Sequence, residues 1–254
     1  MRYRELHRWD LKPAEAIALQ EELRRQIKIQ PLDRKIKLIA GCDVSFDKNS
    51  DIVYAGVLIV SLPDMRVVDK ATAVVKINFP YIPGLLSFRE TPALLRAWEK
   101  LSTAPDAVML DGQGLAHPRR FGIACHFGLI TELITLGCAK TVLVGRYKEP
   151  GQKAGSHSPL VDRDEVVGAA LRTKDGSEPV FVSVGHMIDL SGAIDLTLRC
   201  VRGYLPDASP SLFDLAPTGK PKYRIPEPTR LAHIMVNALR RSESIEKALR
   251  QALG

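Results

Sequence analysis

Apolar and polar positions alternate with two different periods along the first third of the chain. Residues 13 to 28 follow the helical period: Pro13 stands near the start, and Ala14, Ile17, Ala18, Leu23 and Ile27 share one stripe with charges opposite. A strand is expected from Ile36 to Val44, followed by the turn-rich run Asp47-Lys48-Asn49-Ser50-Asp51. Ile52 to Leu62 and Val67 to Ile77 are strand-like, with Pro63-Asp64 as a turn between them, so the three strands predict an antiparallel meander. Helices and short buried strands then alternate. The pattern predicts helices over Thr91–Leu101, Pro118–Leu136, Asp164–Leu171, Leu190–Val201 and Thr229–Leu239, with strands at Ala107–Leu110, Thr141–Val144 and Val180–Val184. Short, continuously apolar strands are those whose two faces are both covered by helices. The expected architecture is therefore α/β: one mixed sheet with helices on both faces, a single domain over residues 1–254. The stretch from Gly203 to Pro228, with six prolines, reads as a loop insertion.

Composition narrows the class. With 254 residues and 45% hydrophobic positions the chain can bury a core, which excludes a disordered protein. No run approaches the ~18 apolar residues of a membrane span. The opening Met-Arg-Tyr-Arg-Glu-Leu-His-Arg-Trp-Asp has no apolar signal core, so a cytoplasmic protein is expected. Cys42, Cys125, Cys138 and Cys200 form no CxxC pair and read as reduced core thiols. A formal charge of +7 makes a polyanionic partner plausible.

Candidate chemistry begins with two aspartates. Asp43 follows Leu38-Ile39-Ala40-Gly41-Cys42, and Asp111 follows Val108-Met109-Leu110, so each lies at or near the end of a core strand. Taken singly, either is a turn or cap residue; on adjacent strands the two would share a cation. Glu90 opens a helix, where an acidic residue also suits the helix dipole. The three supply hard oxygen ligands, which suit Mg²⁺ or Mn²⁺ and not zinc. In Asp111-Gly112-Gln113-Gly114-Leu115-Ala116-His117-Pro118-Arg119-Arg120 the glycines permit close backbone approach, and the arginines at a helix start would meet phosphate. There is no GxGxxG, GK[ST] or GxSxG motif, so Ser156-His157-Ser158 carries no hydrolase reading. Lys140 alone reads as a surface lysine, and His117, His126 and His233 as partly buried helical histidines. Asn78-Phe79-Pro80-Tyr81-Ile82-Pro83-Gly84-Leu85-Leu86 predicts a stiff loop. It is either a crossover packed on the core or a wedge between stacked bases.

These blocks resemble the endonuclease V family, deoxyinosine-directed repair nucleases with a ribonuclease-H-like fold. The resemblance rests on Gly41-Cys42-Asp43-Val44-Ser45, on Pro80-Tyr81-Ile82-Pro83-Gly84-Leu85-Leu86-Ser87-Phe88-Arg89-Glu90, and on Asp111-Gly112-Gln113-Gly114 with Ala116-His117-Pro118-Arg119-Arg120. Gly185-His186 and Pro226-Glu227-Pro228-Thr229-Arg230-Leu231-Ala232-His233 follow in the same order. It implies that Asp43, Glu90, Asp111, Lys140 and His233 are catalytic, with Asp43 and Asp111 as direct metal ligands. His233 would act where other members have Asp, through a water. Tyr81 would be the wedge, while Gly84, Leu86, Gly112 and Ile123 line a pocket for extruded hypoxanthine; Pro83 and His117 join the substrate-binding set. Gln113 stands where a His is common, and the insertion from Leu205 to Lys222 is longer than the family pattern.

The activity so implied is Mg²⁺-dependent nicking at the second phosphodiester 3′ of deoxyinosine, leaving 5′-phosphate and 3′-hydroxyl, by a monomer that binds nucleic acid and no membrane. Two rivals stand beside it. One is an endoribonuclease specific for inosine-containing RNA, which would sense the 2′-hydroxyl; the other is a lesion-binding protein without catalysis.

Overall fold

The computed structural model describes residues 1–48, 50–204 and 220–253. An eight-stranded mixed sheet runs through it in the order β3-β2-β1-β4-β5-β8-β7-β6. The meander consists of β1 (Leu38–Ser45), β2 (Ile52–Ser61) and β3 (Val67–Lys76), all antiparallel. β4 (Ala107–Leu110) pairs parallel with β1, and β5 (Ile134–Ala139) parallel with β4. β6 (His157–Asp162), β7 (Glu165–Leu171) and β8 (Val180–His186) add an antiparallel half to β5.

Strand alternation divides the core between the two faces. Ala40, Cys42, Val108 and Leu110 pack with residues of α2 (Leu86–Trp98) and α3 (Ile123–Thr131), and Ala16 of α1 (Pro13–Leu23) joins them. Ile39, Met109, Leu136 and Cys138 pack on the opposite side. There they meet α4 (Leu190–Arg199), α5 (Glu227–Arg240) and α6 (Ile245–Leu253). All four cysteines are free and buried. Among the described residues no helix is long and apolar enough to cross a membrane.

The meander, β4, β8, α4 and α5 lie where the apolar pattern puts them. Residues 118–171 depart from it. The long helix expected over Pro118–Leu136 is a nine-residue helix, closed by Glu132 in the left-handed conformation, and then strand β5. Almost every position of α3 is buried, so its sequence has no polar stripe to separate it from the buried strand that follows. The strand expected at Thr141–Val144 is an irregular segment instead. The helix expected at Asp164–Leu171 is β7, joined to β6 by a two-residue turn in which Arg163 and Asp164 have φ of 52° and 62°. Such paired positive φ angles make the tight hairpin turn, usually signalled by Asn-Gly or Asp-Gly, which is absent here. α2 begins at Leu86, before the expected Thr91, with Pro92 inside it. Glu90 therefore sits within the helix and does not open it. Most of the segment read as an insertion, residues 205–219, lies outside the described residues.

Candidate active site

Parallel pairing brings the two aspartates together. Cys42 of β1 is in register with Leu110 of β4, so Asp43 and Asp111 follow side by side, and the Asp111 N–H donates to Cys42 O at 3.1 Å. Asp43 lies inside β1 near its end. Lys140 comes from the end of β5, not from the start of a strand, and its Nζ pairs with Asp111 Oδ2. His233 arrives on α5, where Nδ1 is 2.7 Å from Asp43 Oδ2. That helix can approach because position 41 has no side chain: a Cβ there would lie 2.0 Å from Pro228 O. Asp43, Asp111 and His233 each offer a ligand atom, all within 4.8 Å of one another.

Glu90 of α2 completes the acidic group. Burial, reinforced by the negative charges of Asp43 and Asp111, pushes its pKa up to about 8. Burial and Asp43 also raise Asp111, against the opposing charge of Lys140. Two carboxylates that can share a ligand, a third that feels both of their charges, and one paired lysine are an arrangement that a divalent cation relieves. The donor set fits a hard cation.

Beside the cluster opens a recess of about 490 Å³. Tyr81, Pro83, Gly84, Leu86, Gly112, His117 and Ile123 all line it, together with Glu90, Asp111 and Lys140. Asp43 and His233 do not. In the 78–84 loop Phe79 is buried in the core, whereas Tyr81 is 58% exposed, its ring 6.1 Å from that of Phe46. Arg89 ties the loop down by donating to Phe79 O and to Ser50 O.

The back wall is a hydrogen-bonded clamp on one peptide. Gly84, at φ +80°, has its carbonyl oxygen accept from Arg119 Nη2 at 2.7 Å, His117 Nε2 at 2.9 Å and Gln20 Nε2 at 3.1 Å. His117 Nδ1 accepts the Arg119 N–H, so both ring nitrogens are engaged within the protein. Burial, with the arginines nearby, lowers the His117 pKa to about 4, and the ring is neutral. Arg119 is committed to Gln20 and Gly84, and Arg120 to Asp162 and Glu165; neither stands at a helix start. Gln113 Nε2 donates to Thr141 O at 3.0 Å. Sequence reasoning missed Val142 and Leu143, which line the recess, because their apolar run was read as a strand.

A mixed sheet of this order, carrying paired aspartates on adjacent strands and a third donor from a late helix, defines a ribonuclease-H-like nuclease. The particular group follows from comparison: the sequence profile described as "Endonuclease V" matches residues 21–211, and the chain belongs to that family. Endonuclease V of Myxococcus xanthus is 45% identical over 240 residues, covering 94% of each chain. The crystal structure of endonuclease V from Streptomyces avermitilis superposes with a TM-score of 0.78 at 39% identity, covering 97% of this chain and 96% of that one. Endonuclease V of Ciona intestinalis was solved in complex with a 24mer DNA containing an inosine followed by a ribo-adenosine. It gives a TM-score of 0.72 at 27% identity, over 90% of this chain and 98% of that one. The protein is an endonuclease.

Proposed function

We propose that the chain is a DNA repair endonuclease that nicks the strand at the second phosphodiester bond 3′ to deoxyinosine, using Mg²⁺, with Mn²⁺ able to substitute. The observation that carries this reading is the adjacency of two unlike sites. The ligand atoms of Asp43, Asp111 and His233 lie within 4.8 Å of one another, and Asp111 also lines the recess. A base held in the recess would leave the scissile phosphate displaced along the strand, toward the cluster. A cation there would supply Lewis-acid activation of the attacking water and would neutralise charge on the phosphate. Asp43 and Asp111 would hold the cation, while Glu90 and His233 complete or orient its shell. Lys140 would steady the phosphate as a compact charge. Cleavage leaves 5′-phosphate and 3′-hydroxyl. Tyr81 would fill the gap left by the extruded base, and the apolar faces of Leu86 and Ile123 would hold the base itself. On this reading residues 1–254 form one nuclease domain with 203–228 as an insertion, acting as a cytoplasmic monomer.

The test is a nicking assay on matched DNA and RNA strands carrying inosine, uracil, an abasic site or a mismatch. Inosine DNA should be nicked in Mg²⁺ and Mn²⁺ and hardly at all in Ca²⁺, whose looser shell positions water poorly. Intact inosine DNA in Mg²⁺ would refute the proposal, and cutting confined to inosine RNA would move the substrate class.

A further inference from the structure

Three residues two apart on β1 and the turn after it each meet α5: Asp43 with His233, Ser45 with Asn237, and Asp47 with Arg240. Alternate strand residues face one side, and two strand steps of roughly 6.7 Å nearly match four helical residues at about 6 Å. The rungs therefore stay in step, and the middle one touches both of its neighbours.

The partners of Asn237 decide which way its amide points. Arg240 Nη2, at 3.3 Å, and Ser45 Oγ, at 3.3 Å, donate to Oδ1, and a guanidinium has hydrogens only to give. His233 O, at 2.9 Å, can only accept, so it faces Nδ2. The same Nδ2 has a second hydrogen, and His233 Nε2 lies 3.2 Å away. That nitrogen must present its lone pair. The ring proton then sits on Nδ1 and is donated to Asp43 Oδ2 at 2.7 Å. The opposite tautomer would set N–H against N–H at Nε2 and a lone pair against a carboxylate at Nδ1.

We propose that Asn237 is a positioning residue that sets His233 as an Nδ1–H donor to Asp43, so that His233 orients this carboxylate and does not coordinate the cation through Nδ1. The inference rests on the reading of Asp43 as a metal ligand. With Val44 N–H donating to Oδ1 at 2.9 Å, both Asp43 oxygens are then fixed, and their remaining lone pairs are left for the cation. Outer hydrogen bonds of this kind commonly tune a metal site about 10- to 100-fold.

The test uses ¹⁵N-histidine-labelled protein, first free of metal and nucleic acid at pH 8, with His233→Gln to assign the signal. Wild type should show the Nδ1–H tautomer. In Asn237→Asp, of the same size and with an acceptor facing Nε2, the Nε2 signal should change from that of a bare nitrogen to that of a protonated one. The kcat for nicking should fall about 10- to 100-fold, with the KM for DNA within about twofold. Mg²⁺ added to a calorimetric plateau should leave the wild-type Nδ1–H signal in place. A wild-type Nε2–H signature, an unmoved signature or wild-type kcat in Asn237→Asp, or a ligation shift at Nδ1 on adding Mg²⁺ would each overturn the proposal. Absence of binding heat would instead count against the metal reading, and uncut inosine DNA against the substrate; neither touches the metal-free tautomer.

Discussion

The carboxylate cluster and the recess beside it share Glu90 and Asp111, yet they are held by opposite means. In the cluster like charges face one another: burial and the two aspartates push Glu90 up to about 8, and Asp111 is raised as well. In the recess the key peptide is over-supplied with partners, since Gly84 O accepts three donors while Ile123 and Leu86 present apolar faces. The first region carries electrostatic strain that serves chemistry, and relieving it should favour the fold while destroying activity. The second is satisfied packing, so changes there should act by degrees on affinity.

The largest effect is expected at the aspartates. Asp43→Ala and Asp111→Ala should each abolish nicking of inosine DNA and leave binding largely intact, because affinity for nucleic acid comes mostly from Lys and Arg contacts to phosphate. Nicking rates and a binding isotherm in Ca²⁺ check both halves. A wild-type rate for Asp111→Ala would break the contrast by removing the cluster from the chemistry.

Glu90 comes next, and its effect on stability has a definite sign. Its carboxyl keeps a proton in the folded chain up to about pH 8, whereas its ordinary value is 4.5. Between those values the folded state binds a proton that the unfolded state has lost. Stability of the metal-free protein therefore falls as pH rises through this window and levels off above it. Glu90→Gln should flatten that slope, melt higher than wild type at pH 8 in a chelator, and lose nicking. Divalent cation should raise the wild-type melting temperature most at the alkaline end, since binding displaces the proton. Equal melting curves for the two proteins at pH 8 would show that the cluster is not strained.

The same contrast explains what could be read from the chain. Asp43 and Asp111 are legible because a carboxylate directly after an apolar run is locally odd, whereas the parallel partnership of β1 with β4 is a finding of the structure, since the element order leaves β4 free to join β3 instead. The partners that fix the recess are not legible. Gln20 reaches Gly84 across 64 residues of sequence with no local signal, and Arg119, 35 residues from Gly84, points in sequence toward phosphate and not toward a peptide carbonyl. Asn237 is likewise an ordinary polar residue of a helix until Ser45, His233 and Arg240 close round it. The misreading of Pro118–Leu136 as one helix has a different cause. Where a helix is buried all round and a strand is an unbroken apolar run, hydrophobic periodicity does not tell them apart, and length alone arbitrates.

Tyr81 is where the graded behaviour of the recess can be measured against the all-or-none behaviour of the cluster. Its ring is 58% exposed at the rim of the recess, held on a loop whose base is fixed by buried Phe79 and Arg89. An inosine pairs less stably than a normal base and is cheaper to extrude, but the gap left in the stack must still be filled. A base–aromatic stack contributes roughly 1–3 kcal/mol by alanine substitution, which is about 5- to 150-fold in affinity. Tyr81→Ala should therefore weaken binding to inosine DNA within that range, and saturating enzyme should recover much of the cleavage. Tyr81→Phe keeps the stacking face and should stay close to wild type. Because the ring is mostly in solvent, neither variant should change the stability read from melting by more than an ordinary surface substitution does, about 0.5 kcal/mol. Melting and inosine-DNA titration on the same preparations separate the possibilities. A collapsed melting temperature would make Tyr81 a structural residue, and unchanged affinity in a folded Tyr81→Ala would remove it from recognition altogether.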